Sequence, residues 1–423
     1  MREMKDSGIS WINEIPGNWN VEPIKYSYRL IAGATPESTN VDFWDGDIKW
    51  ITPADFKTKD VFVTGGSRNL TVEGYKSCST SMLPIGSIVF SKRAPIGTVA
   101  ITADKLCTNQ GCLGLVEKSG RALNKFYFYV ISIYGEVFNL YGSGTTFKEI
   151  SANTFANIKL PMPPIQEQKR IVGFLDAKCV EIDALTADIQ TQIDTLEQYK
   201  RSVITEAVTK GLNPDAEMKD SGIEWIGEIP ATWDIIRGKY LLKYLQKPVK
   251  EDDGVITCFR DGEVTLRSNR REDGFTMSDK EIGYQGIDAG DLVVHGMDGF
   301  AGAIGISDSR GKASPVLNVM DTKQNKRYIM YYLRSMAYSD VFVALATGIR
   351  VRSCDLRWNK LADLPYPVPK IDEQNAIVEY IDAILEKTDA VISEKKAQLG
   401  MLDEYKKSLI YGYVTGKKEV PAI

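Results

Sequence analysis

Residues 4–19 (MKDSGISWINEIPGNW) return at residues 218–233 as MKDSGIEWIGEIPATW, with 12 of the 16 positions identical. A second stretch, residues 161–211, returns at 367–417 with 19 of 51 positions identical and no gap. A tandem duplication of this kind restricts the chain to folds in which one frame is built twice. The first block repeats at an offset of 214 residues and the second at 206, so the segments between them differ in length by eight (214 − 206) and hardly align. The pattern is that of a fixed scaffold presenting two unlike inserts.

The length of 423 residues suits two or three domains, and 43% hydrophobic with 26% charged residues is ordinary for a globular protein. The first residues, MREMKDSGIS, hold no apolar leader, and no apolar run approaches eighteen residues, so a cytoplasmic protein without membrane partners is expected. Six scattered cysteines (Cys78, Cys107, Cys112, Cys179, Cys258, Cys354) form no CxxC pair, as buried thiols in a reducing compartment would. With His295 as the single histidine, no metal site is expected. The net charge of −4 divides unevenly. Residues 20–160 carry 15 basic against 12 acidic side chains, and residues 234–366 carry 20 against 18, which leaves 17 against 26 for the frame. Neither insert has the basic excess that would hold DNA through phosphates alone.

The frame itself is legible. After the junctions Pro161-Met-Pro163-Pro164 and Pro367-Val-Pro369, each half enters a long proline-free stretch. Leu175, Ile182, Ile189, Leu196 and Val203 recur every seven residues, supported by Ile171, Leu185, Ile193 and Tyr199. The second copy offers Ile377, Ile381, Ile384, Leu385, Val391, Ile392, Leu399, Leu402, Tyr405 and Leu409. Both predict long amphipathic helices with a coiled-coil seam, pairing antiparallel and ending near Gly211 and Gly416. Each insert predicts an α/β (α+β) domain of short strands: residues 48–52, 86–90, 97–101 and 114–116 before a helix over 125–140, then 290–294 and 302–306 before a helix over 327–345.

Catalytic motifs are missing. There is no Asn/Asp-Pro-Pro-Tyr/Phe of adenine methyltransferases and no GxxxxGK[ST] loop. Gly142-Ser-Gly144 lacks the context of a nucleotide loop, and Pro214-Asp215-Ala-Glu217-Met-Lys219 packs its carboxylates too tightly for a nuclease and is read as a linker.

These features together resemble the specificity subunits of type I restriction-modification enzymes. Glu14-Ile-Pro-Gly-Asn-Trp19 and Glu228-Ile-Pro-Ala-Thr-Trp233 look like the start of each target-recognition domain of that family. Gly33-Ala-Thr-Pro36, Phe43-Trp-Asp-Gly46, Asn109-Gln110 and Gly144-Thr-Thr-Phe-Lys-Glu-Ile150 are similar to its landmarks, and the Pro-x-Pro-x-Ile-x-Glu-Gln stretches ending at Gln168 and Gln374 to its spacer-helix junctions. The second insert departs from the pattern, lacking GxTP and the Trp-Asp-Gly turn.

The resemblance implies a chain without catalysis of its own and with no bound cofactor. It would read a bipartite, asymmetric double-stranded DNA target and hold two modification subunits, which are adenine N6-methyltransferases, together with restriction/translocase subunits. S-adenosylmethionine, ATP and Mg2+ would belong to those partners. The implied layout is a first recognition domain over residues 1–163, a spacer helix over 164–213, a second recognition domain over 214–369 and a second spacer helix with tail over 370–423. Arginine, lysine, asparagine and glutamine reach base edges with bidentate geometry. The candidate DNA-binding residues are accordingly Lys92, Arg93, Asn109, Gln110, Thr145, Thr146 and Lys148 in the first insert, and Arg267, Arg270, Arg271, His295, Arg350, Arg352 and Arg357 in the second. Trp11, Trp19, Trp225 and Trp233 are expected to pack the frame. Rival readings are a coiled-coil scaffold whose inserts bind protein or RNA, and an autonomous methyltransferase or nuclease.

Overall fold

A computed structural model describes residues 2–57, 60–93, 95–143, 148–270, 281–345 and 356–421. The chain divides into two compact units, Met1–Asp188 with Gln398–Ile423, and Ile189–Ala397. Four helices carry the argument: α1 (Asn124–Ile133), α2 (Ile165–Lys210), α3 (Lys326–Tyr338) and α4 (Ile371–Val414). The two long helices run 46 and 44 residues, and each passes from one unit into the other, so every unit contains the start of one and the end of the other. Among the described residues no helix is long and apolar enough to cross a membrane.

In the second unit Lys200 Nζ meets Asp389 Oδ1 at 2.5 Å while Lys395 donates to Gln192. The numbers rise along α2 as they fall along α4, which makes the pair antiparallel. In the first unit Lys406 Nζ bonds Asp183 Oδ1 at 2.6 Å, and Leu175 and Ile182 share a core with Leu409, Ile410 and Val414. The equivalent core of the second unit joins Ile204, Ala207 and Val208 to Ile377, Val378 and Ile381. The buried seam is narrower than the heptad pattern suggests. Leu185, Tyr199, Val391 and Tyr405 are exposed, and Leu196, Ile384, Leu385, Leu399 and Leu402 only half-buried, because two helices alone cover a thin stripe of each other. Both helices end as expected, with Gly211 and Gly416 in the left-handed region at φ +74° and +72°.

Each insert is built on its own sheet, and the two sheets have the same core strand order. In the first, the strands lie in the order Tyr28–Ala32, Cys112–Glu117, Ile88–Ser91, Val99–Thr102, with Phe62–Val63 added in parallel at the edge. In the second the order is Leu242–Tyr244, Leu317–Thr322, Leu292–His295, Ile304–Ile306. All four core strands are antiparallel in both, which places the domains in the α+β branch of the expected class. The predicted helices break in two: residues 125–140 form α1 and Gly135–Leu140, and residues 327–345 form α3 and Val341–Ala344.

The repeated frame residues explain how each insert is fixed. Trp19 Nε1 donates to Glu167 at 2.9 Å and Trp233 Nε1 to Glu373 at 3.0 Å, both indoles being fully buried. The next residue of each junction is a buried glutamine. Gln168 accepts from the Leu123 amide just before α1 and donates to the carbonyls of Arg121 and Pro163; Gln374 accepts from the Asn325 amide just before α3 and donates to the carbonyl of Pro369. One amide side chain thus ties the start of a long helix to the start of its domain helix, and its donors and acceptor are all used. A second tie is repeated further along. Tyr129 of α1 donates to Asp176 of α2 at 2.5 Å with Lys125 at 3.4 Å from the same carboxylate, while Tyr331 of α3 donates to Asp382 of α4 at 2.5 Å with Arg327 at 2.6 Å. Burial and the Asp382 carboxylate push the Tyr331 phenol up to about 12. Trp11 is half-buried, with Tyr134 and Tyr141 against its edge, and Trp225 is 38% exposed.

Candidate nucleic-acid interface

In the first domain the chain brings three separated landmarks to one loop cluster. Gly33 lies so close to residues 108 and 109 that an added Cβ would stand 2.2 Å from their carbonyl oxygens. Only glycine permits this approach, and it lets Ala34 N bond the Thr108 carbonyl at 2.9 Å. Gln110, exposed, is then joined to Thr35 through their side chains. Asn109 turns inward, its Oδ1 accepting from Gly111 N at 2.9 Å, so it shapes the loop. Lys92 N bonds the Gly111 carbonyl at 2.9 Å, bringing the Lys92-Arg93 pair alongside.

Both of those cations are held by one carboxylate. Lys92 Nζ lies 2.7 Å from Glu149 Oε1 and Arg93 Nε 2.8 Å from Oε2. Burial raises Glu149, but bonds from Lys92 and Arg93 outweigh it and hold the carboxyl below its usual range. Lys148, next in sequence, is exposed. Thr145 and Thr146 lie outside the described residues. Trp44 of the Trp-Asp-Gly turn holds a further cation, Arg68 of the strand Arg68–Leu70, whose guanidinium sits 3.7 Å over its ring.

In the second domain a cleft of about 520 Å³ opens beside the hairpin Ile256–Cys258 and Val264–Leu266. Arg267, Arg270 and His295 from the candidate set line it, together with Phe259, Arg260 and Asp298, which sequence reasoning missed. A usable signal was present: Asp261-Gly262 between two short apolar runs marks a hairpin turn, and Gly262 does adopt φ +88°. Arg334 of α3 fastens that turn, donating to the carbonyls of Gly262 at 2.9 Å and Ile304 at 2.8 Å. Arg270 stacks 4.2 Å over Phe259 and pairs with Asp261 at 2.7 Å and Glu263 at 3.1 Å. Arg260 pairs with Asp298 at 2.8 Å, and Arg267 Nε reaches Thr257 Oγ1 at 3.3 Å. Arg357 is placed elsewhere, at the start of the short helix Trp358–Asp363. Arg271, Arg350 and Arg352 lie outside the described residues.

His295 Nδ1 accepts from the amides of Met297 at 3.2 Å and Asp298 at 2.9 Å, which fixes the neutral ring's proton on Nε2. Burial lowers its pKa from the ordinary 6.5; Asp298 opposes this and Arg260 adds to it. A depressed folded value means that the histidine's contribution to stability is complete above about 6.5 and is lost as pH falls through the folded value. As the chain's single histidine, it gives one Cε1–H resonance, expected to titrate below 6.5 in the folded protein. A midpoint above 6.5 would contradict the geometry.

Residues 16–195 match the family model described as the type I restriction modification DNA specificity domain. The MjaIX specificity subunit of Methanocaldococcus jannaschii is 34% identical over 167 residues, 39% of this chain and 38% of that protein. The MjaVIII specificity subunit of the same organism is 24% identical over 323 residues, 72% of this chain and 73% of that one. A chain solved in work on complex assembly and conformational transition of the type I R-M system shares the fold, with a TM-score of 0.69 at 14% identity over 96% of this chain and 99% of that one. Residues 16–195 are thus similar to the DNA specificity domain of type I restriction-modification systems. The chain spans under half the length of the first two curated relatives it matches, 38% and 46%. The family model ends at residue 195; what relates the second half to the first is the repeated frame and the same order of core strands.

Proposed function

We propose that this chain is the DNA sequence-recognition subunit of a type I restriction-modification complex, reading a bipartite, asymmetric duplex target with one half-site per insert. The observation that carries this reading is the contrast between frame and inserts. The Trp–Glu, Gln–amide and Tyr–Asp ties are built twice from the same residue types, while the polar clusters they hold differ completely. A repeated mount with unlike readers suits a target whose halves differ.

Lys92 and Arg93 in one cluster and Arg260 and Arg270 in the other are paired with carboxylates, which favours orientation and selectivity over raw phosphate attraction. Affinity would therefore come largely from partners. Two modification subunits would supply adenine methylation with S-adenosylmethionine, and restriction subunits would supply ATP- and Mg2+-dependent translocation and cutting. The protein- or RNA-binding scaffold has no such support from the family match.

Exchanging residues 20–160 for the first insert of another family member should change one half of the methylated motif and leave the other half untouched. Methylome sequencing of cells carrying the chimera and its modification subunit checks this. A change in both halves, or in neither, would count against independent readers.

A further inference from the structure

The second-domain cleft is unusual in what it leaves over. His295 is fixed with its proton on Nε2, and the nearest carboxylate oxygen, Asp298 Oδ2, stands at 3.9 Å, beyond hydrogen-bond reach. The side chain is only 18% exposed, yet the ring lines the cleft. Nε2 is not among the buried polar atoms left without a partner, so this donor is open to the cleft and available to a ligand there. Arg270 is similar: both of its carboxylate contacts fall on Nη1, and Phe259 braces its plane from below. The carboxylates are engaged in turn, Asp261 and Glu263 by Arg270 and Asp298 by Arg260. The cleft therefore offers two braced donors, and the two carboxylates that line it, Asp261 and Asp298, each already take a bond from an arginine.

In the major groove only guanine presents two acceptors side by side, O6 and N7. Adenine sets an amino donor beside its N7, thymine pairs one acceptor with a methyl group, and cytosine offers a donor. We infer that this cleft reads a guanine in the second half-site, with His295 Nε2 and the free edge of Arg270 donating to O6 and N7. The inference rests on the recognition reading given above and adds the base and the two residues that select it. Asp261, Glu263 and Phe259 act as positioning residues for the arginine, and the backbone amides of Met297 and Asp298 position the imidazole.

The test uses the complex of the full chain with its modification subunit and duplexes carrying the methylated motif. Each second-half guanine is replaced in turn by 7-deazaguanine, which lacks the N7 acceptor. At one of these positions wild-type binding is expected to weaken roughly tenfold, the scale of one lost base-edge bond. Of the variants His295→Ala and Arg270→Ala, one should be blind to that replacement, because its donor to N7 is already gone. The wild-type comparison needs no altered protein, so a variant that folds poorly does not blunt it. A second half-site without guanine would overturn the assignment. So would equal binding to every 7-deaza duplex, or variants that lose the same factor on modified and unmodified DNA. Absence of any sequence-specific binding by the wild-type complex would instead remove the recognition reading, and the assignment with it.

Discussion

Replacing Trp19 with alanine is expected to destabilise the first unit by about 3–5 kcal/mol, the range for truncating a large buried aromatic. The indole is fully buried, packs edge-on to Phe126 and carries the guanidinium of Arg2 at 5.3 Å. Its loss also removes one of the two donors to Glu167, leaving Arg2 to hold a carboxylate that is only 19% exposed. The matching change at Trp233 should cost more. Residue 216 is alanine where the first copy has Arg2, so the Trp233 indole has no equivalent cation to share Glu373. Hydrogen exchange resolves the units separately: protection should fall in the first unit for Trp19→Ala and in the second for Trp233→Ala. Unchanged protection in either would show that the tryptophan is not what secures its domain.

Substituting alanine at Gly33 should act on reading as much as on stability. The added Cβ would collide with the Thr108 and Asn109 carbonyls at 2.2 Å, and backbone on both sides can relieve the clash only by separating the loops. Overpacking of this sort costs typically about 1–3 kcal/mol. The bond from Ala34 N to the Thr108 carbonyl and the link between Thr35 and Gln110 would go with it. The expected result is a first half-site that becomes degenerate in the methylome while the second stays sharp. A motif unchanged in both halves would separate the Gly33 approach from recognition.

Much of this architecture was legible because it rests on local pattern. Proline at the junctions, seven-residue apolar spacing and glycine at the ends specify the two long helices, and the structure places them within two residues of those signals. The seam was overestimated for the same reason: periodicity marks every apolar position on a face, but a two-helix pair cannot cover Tyr199 or Tyr405. The ties that mount the domains were not legible. Tyr129 and Asp176 are 47 residues apart, and a tyrosine on a helix gives no hint of which carboxylate it will meet. The candidate cations were found by residue type, and type says nothing of pairing. Lys92 and Arg93 turned out to share Glu149, and Asn109 to hold its own loop. Phe259 and Arg260 stand outside the clusters of like charge, and the hairpin turn that carries them is marked instead by Asp261-Gly262.

The helix ends carry a historical implication. Gly211, closing α2, lies against Trp233 and Pro230 of the second unit, and Gly416, closing α4, lies against Trp19 and Pro16 of the first. Each tryptophan pocket is thus finished by the tail of the helix that began in the other half of the sequence. A single ancestral half would have had an open pocket and a homeless tail, each made to fit the other. Two copies could satisfy both by exchanging tails, so a pair of identical half-length chains is a natural forerunner. Gene fusion would then have freed the two inserts to diverge further than the frame that carries the exchanged tails.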